Sequence, residues 1–112
     1  TSMFIDPSPK QLEASAQIGS PWVELHTGSF ARAWYHESER EKELMILRKG
    51  MDLGVSLGLR VNAGHGINYD NVEGAKQLQK VYEFNIGHSI VSRSITHGFK
   101  EAVATMRHRL NH

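Results

Sequence analysis

The sequence predicts an α/β fold with a parallel sheet, on two observations: four apolar strand patterns each followed by a helical pattern, and a polar or glycine-rich cluster closing each strand. Four units in 112 residues average 28 residues each, the spacing of a βαβ series. Two architectures accommodate the series. One is a small doubly wound sheet; the other is half of an eight-stranded (β/α)8 barrel, which when complete takes roughly 250 residues.

Met3-Phe4-Ile5 is β-prone and runs into Asp6-Pro7-Ser8-Pro9, where Ser8 is placed to cap a helix and Pro9 to occupy its first turn. That helix is expected from Pro9 to about Ile18, with Leu12, Ala16 and Ile18 inward and Gly19 ending it. Trp22 to Leu25 is the second strand, leading into the loop His26-Thr27-Gly28-Ser29 and an irregular aromatic stretch through Tyr35. Glu37 to about Leu57 reads as a long amphipathic helix with Leu44, Leu47, Met51 and Val55 on one stripe and a charged, solvated opposite face. Gly58 to Asn62 is the third strand, followed by the loop Ala63 to Tyr69 and a helix near Val72 to Lys80. Tyr82 to Ile86 is the fourth strand. Gly87-His88 opens the last helical region, which breaks at His97-Gly98 before a terminal helix carrying Phe99, Val103, Met106 and Leu110.

Side chains alternate along a strand, so Val23 and Leu25 share one face while Glu24 and His26 share the other. The same rule sets Phe84 and Ile86 against Glu83 and Asn85, and Val61 against Arg60 and Asn62. A sheet covered by helices on both faces asks for near-continuous apolar strands. One polar face therefore favours a barrel with a wet, functional interior.

Composition narrows the function classes. With 13 Lys+Arg against 12 Asp+Glu, and no basic run, the chain has no electrostatic footprint for nucleic acid or an anionic membrane. The absence of cysteine removes disulfides, thiolate nucleophiles and zinc-cysteine sites, and is compatible with a cytosolic, reducing compartment. No apolar run approaches the roughly 20 residues of a spanning helix. The chain opens on Thr1-Ser2-Met3 inside an apolar run, as expected of a fragment or a processed start.

In parallel α/β folds ligands bind where the carboxyl ends of the strands share a rim. Asp6, Glu24, His26, Asn62, Gly64-His65-Gly66, Asn85 and Gly87-His88 all fall there. Gly64-His65-Gly66 lacks the third glycine and the following helix of a dinucleotide fingerprint. Its glycines instead allow backbone amides near an oxyanion while His65 reaches the reacting centre; the plainer alternative is a turn with a solvent-facing histidine. Gly87-His88 directly precedes a helix, whose free amides and dipole favour a phosphate, although a simple glycine turn gives the same string. Glu24 is flanked by Val23 and Leu25 on the inward face, where a carboxylate is costly unless paired, either functionally or with Arg60 on the neighbouring strand. His26, His65 and His88 share the rim but lack the closely defined spacing of zinc ligands, and His36, His97, His108 and His112 fall at surface or helix-end positions.

The strings Phe4-Ile5-Asp6-Pro7, Val23 to Gly28 (VELHTG), Leu59 to Tyr69 (LRVNAGHGINY) and Phe84 to Ile90 (FNIGHSI) resemble the pyridoxine 5′-phosphate synthase (PdxJ) family. The match runs through the whole chain in the family's order and corresponds to the C-terminal half, strands 5 to 8, of that family's (β/α)8 TIM barrel. The resemblance implies condensation of 3-amino-2-oxopropyl phosphate with 1-deoxy-D-xylulose 5-phosphate to pyridoxine 5′-phosphate, phosphate and water, with no metal or organic cofactor. It implies His65 as proton donor, Glu24 as the carboxylate stabilising the transition state, and Gly66, Gly87 and His88 as ligands of the aminooxopropyl phosphate. It also implies a homo-oligomer.

Residues 1–112 form one half-barrel segment on this reading, without the strands that carry the family's other catalytic groups. Four unclosed strands expose two edges, so this polypeptide alone is expected to associate, aggregate or be marginally stable, with little turnover. The alternatives are a non-catalytic phosphate-binding half-barrel that needs a partner half, and a generic phosphosugar-binding barrel enzyme.

Overall fold

The computed structural model describes residues 1–112. Its centre is a four-stranded, all-parallel sheet in sequential order: β1 (Ser2–Ile5), β2 (Trp22–His26), β3 (Arg60–Gly64) and β4 (Phe84–Asn85). Between them lie α1 (Pro9–Gln17), α2 (Gly28–Ala33), α3 (Glu37–Ser56) and α4 (Val72–Ala75), and α5 (His88–His97) and α6 (Phe99–Asn111) follow β4. Sequential order, with no strand inserted out of turn, is the order in which consecutive βα units build a barrel wall; the doubly wound alternative requires a reversal of strand order.

The register pairs Val23 with Val61, Glu24 with Asn62 and His26 with Gly64. Val23, Leu25, Val61 and Ala63 are fully buried under the helices, while Trp22, Glu24 and His26 are half-buried on the opposite face. The core gathers Leu12 from α1, Phe30 from α2, Leu44, Leu47 and Met51 from α3, and Met106 from α6. Each such side chain contributes about 1.5–3 kcal/mol by leaving water. The sheet is thus apolar toward its helices and polar toward its open face, as alternation requires.

Several elements depart from the expected bounds. The aromatic stretch after β2 is not irregular: Gly28–Ala33 is helical because Phe30 and Ala33 are buried and Phe30 meets Trp34 edge-on, so packing overrides weak local propensity. The third strand starts two residues late, since Gly58, at φ +81°, and Leu59 terminate α3: the Gly58 amide donates to Val55 O and the Leu59 amide to Gly54 O. The strand then continues to Gly64 because β2 extends beside it to His26. The helix expected to Lys80 stops at Ala75, where the chain tightens into turns that bury Leu78. The fourth strand shrinks to two residues, although the Tyr82 amide still donates to Val61 O. Ile18 and Val55, placed inward by periodicity, are exposed; Gly54 faces the sheet instead, within reach of Val61.

Arg60 does not pair with Glu24. Its register partner is Trp22, and its guanidinium lies 5.0 Å from the Trp22 ring and 5.3 Å from Tyr82, at the end of the sheet away from the rim. No helix is long and apolar enough to cross a membrane.

The two last helices are joined by a polar cluster. Arg93 on α5 makes a two-pronged bond to Glu101 on α6, at 3.0 and 3.2 Å, while the Thr105 hydroxyl donates to the same carboxylate. Arg93 also lies 4.7 Å from the Tyr69 ring, whose hydroxyl donates to Ala102 O. The Arg93 guanidinium, helped by Thr105, holds the Glu101 carboxyl down at about 2, against an ordinary value of 4.5. A depressed carboxylate contributes stability that is fully present above pH 4.5 and fades as pH falls toward 2. Glu101→Gln should therefore lower the melting midpoint at pH 7, and the gap to the parent should close near pH 2. A gap of equal size at both pH values would disprove this coupling.

Candidate active site at the strand rim

Glu24, His65, Gly66, Gly87 and His88, which come from three different strand ends, line one cavity of about 540 Å³ together with Phe4, Ile67, Asn85 and Ile86. Parallel strands make this convergence possible, because every βα loop leaves the sheet on the same side. Asp6 and His26 line an adjoining depression of about 460 Å³.

Glu24 reaches the cavity from the polar face of β2, and its Oε1 accepts a hydrogen bond from Asn85 Nδ2 on β4. Gly64 makes that bond possible: a Cβ there would lie 2.7 Å from Glu24 Oε1 and 2.9 Å from Asn85 O. Beneath this pair, Asn62 is buried in register with Glu24, and its Oδ1 has no hydrogen-bond partner.

His65 is the one non-glycine residue with a left-handed backbone, at φ +81°, and Gly66 follows at +82°. A histidine in that region is uncommon and is held by its surroundings. Thr27 Oγ1, fully buried, lies 2.7 Å from Gly64 O and 2.6 Å from His65 O, so its proton is shared between them. On the other side Asn71 Nδ2 donates to Gly66 O, and Asn71 Oδ1 accepts from the Asn68 amide. The two positive-φ residues are therefore His65 and Gly66, with Gly64 remaining in the strand, and His65 projects outward over the cavity.

Gly87 caps α5 with its own backbone, and no side chain occupies the cap. The first-turn amides are thus free, with the positive end of the helix dipole behind them. Ser89 Oγ donates to Ile67 O and ties this turn to the His65 loop. An oxyanion placed here would meet amides from the start of α5 and lie beside the His65–Gly66 loop. No three His, Asp or Glu side chains cluster as metal ligands would.

The sequence strings agree with a comparison against known families. The family model described as "Pyridoxal phosphate biosynthesis protein PdxJ" matches residues 1–112. The chain belongs to the PdxJ family. Curated PdxJ-family relatives named pyridoxine 5′-phosphate synthase include one from Trichodesmium erythraeum, 50% identical over 98% of this chain and 45% of its own length. The Opitutus terrae relative is 48% identical over 98% of this chain and 44% of its length, and that of Solidesulfovibrio magneticus is 51% identical over 95% and 44%. The chain spans under half the length of these relatives.

Asn71 escaped sequence reasoning, and Thr27 and Asn85 were visible only as polar residues near strand ends. Nothing in their spacing distinguishes a loop-bracing amide from a surface one; Asn68-Tyr69-Asp70-Asn71 was the one available signal, as a turn-forming run. Asn71→Ala in this PdxJ-family chain should cost about 1–3 kcal/mol in chemical denaturation, because it removes two hydrogen bonds made by a buried side chain to partly buried backbone groups. The same substitution should speed amide exchange across residues 65–71. Unchanged exchange there would show that Asn71 does not hold the loop.

Proposed function

We propose that these residues form the C-terminal half of a (β/α)8 barrel, strands five to eight, in an enzyme that makes pyridoxine 5′-phosphate. Its substrates would be 3-amino-2-oxopropyl phosphate and 1-deoxy-D-xylulose 5-phosphate, and its other products phosphate and water. The reading rests on family membership together with one observation: a carboxylate, an imidazole and the free amides of a helix start share one cavity.

In this mechanism the α5 amides at Gly87 and His88, with Gly66 opposite, hold the aminooxopropyl phosphate by its dianionic end. That remote binding energy orients the amino ketone for attack. Imine formation and ring closure expel oxygens as water and therefore need protons delivered to them. His65, exposed over the cavity, is the donor, since an imidazole can both give up and recover a proton. Glu24, steadied by Asn85, offsets the cationic charge that develops on the iminium nitrogen. No step calls for a metal or an organic cofactor.

β1 and β4 each have a single strand neighbour, so these 112 residues alone should associate or aggregate and show little turnover. A chimera in which this chain replaces the matching segment of the Trichodesmium erythraeum relative should form pyridoxine 5′-phosphate. His65→Ala in that chimera should lower turnover about a hundredfold or more, and Glu24→Gln by about tenfold or more. A folded chimera without activity, or one indifferent to His65→Ala, refutes the assignment. Independently, inorganic phosphate should move the amide resonances of Gly87 and His88 in the chimera; if phosphate leaves them in place, the anion site is wrong. Robust turnover by the 112-residue chain would refute the half-site reading.

A further inference from the structure

The rim carries an imidazole that the proposed reaction leaves unused, that of His26. We propose that His26 is a positioning residue: its imidazole is the platform on which the His65 ring rests in its working orientation. The inference rests on the assignment of His65 as proton donor.

The His65 side chain makes no hydrogen bond of its own, although its backbone is pinned by Thr27. What its ring does meet is His26, with ring centroids 4.5 Å apart and planes inclined by 25°. That is a stacked arrangement, within the separation at which aromatic pairs attract. A ring free to rotate about its side-chain torsions would spread its proton over several directions. A flat neighbour removes most of them without consuming either ring nitrogen, which leaves both nitrogens of His65 available to substrate.

His26 is itself held on two sides. Its Nδ1 accepts the Gly28 amide at 3.2 Å, and the Phe4 ring meets it edge-on at 5.1 Å with planes inclined by 66°. In the neutral ring this places the remaining proton on Nε2, away from Gly28. Gly28 opens α2 with an ordinary helical backbone, so no left-handed φ demands glycine there. Its lack of a Cβ matters for a different reason: a Cβ would lie 2.3 Å from His26 Cε1 and 3.0 Å from Nδ1. Glycine at 28 therefore keeps the His26 ring under His65, half-buried on the polar face of the sheet and outside the apolar core.

Four variants of the chimera described above test this: His26→Ala, His26→Phe, Gly28→Ala and the double variant His26→Ala/Gly28→Ala. His26→Ala should lower kcat about ten- to a hundredfold and leave the KM for both phosphorylated substrates within about threefold, because the phosphate ligands are untouched. His26→Phe keeps a flat ring without the nitrogens and should recover most of the lost kcat. Gly28→Ala should reproduce the loss by displacing the ring, and should add nothing to His26→Ala in the double variant. The ring-proton resonances of His65 should shift in His26→Ala and Gly28→Ala and return toward the parent in His26→Phe. Unmoved His65 resonances in His26→Ala, or a His26→Phe no more active than His26→Ala, overturn the proposal. If His65→Ala retains full activity while those resonances shift as stated, the catalytic assignment fails and the stacking platform stands.

Discussion

The parallel register of β2 on β3 is the constraint on which the rest depends. Because the side-chain period of a strand is two, a slip of one residue would send Glu24 and His26 into the helical layer and Val23 and Leu25 into the cavity. The observed pairing, Glu24 with Asn62 and His26 with Gly64, puts a residue without a side chain diagonally beside the carboxylate, and so gives it room to reach Asn85. The apolar partners Val23 and Val61 hold that register against a one-residue slip, which would expose one of them. Core packing on one face thus determines the chemistry presented on the other.

A second layer of order comes from backbone carbonyls rather than from side-chain pairs. Thr27 from the β2 end and Asn71 from the loop after β3 grip the carbonyls of Gly64, His65 and Gly66. Ser89 from α5 grips that of Ile67. Three consecutive βα junctions are therefore stitched into one rim, and the left-handed conformation of His65 is imposed by partners distant in sequence. Both His65 and the first-turn amides of α5 belong to this stitched rim, so their relative placement is a property of the assembly of loops.

Much of this was legible in advance. The four βα units, the parallel sheet, the polar face and the strand-end location of Glu24, His65, Gly66, Gly87 and His88 follow from periodicity and from glycine placement, which are local signals. The departures share a cause. Gly58 looked like a strand start and is a helix stop; Gly28 to Ala33 looked irregular and is a helix seated on Phe30; Val55 fitted the apolar stripe and yields to Gly54, because the sheet approaches α3 there. In each case a neighbour from elsewhere in the chain settled what the local pattern left ambiguous.

The sequence by itself determined the order of elements, which strand faces are apolar, and which residue types reach the rim, because alternation and helical periodicity are written in neighbouring residues. Only the tertiary structure decided that Arg60 stacks on Trp22 and Tyr82 rather than pairing with Glu24, that Asn85 is the group steadying that carboxylate, and that His26 lies flat against His65. Those contacts depend on strand register, on a positive φ and on the space left by missing β-carbons, quantities fixed only when separate segments meet.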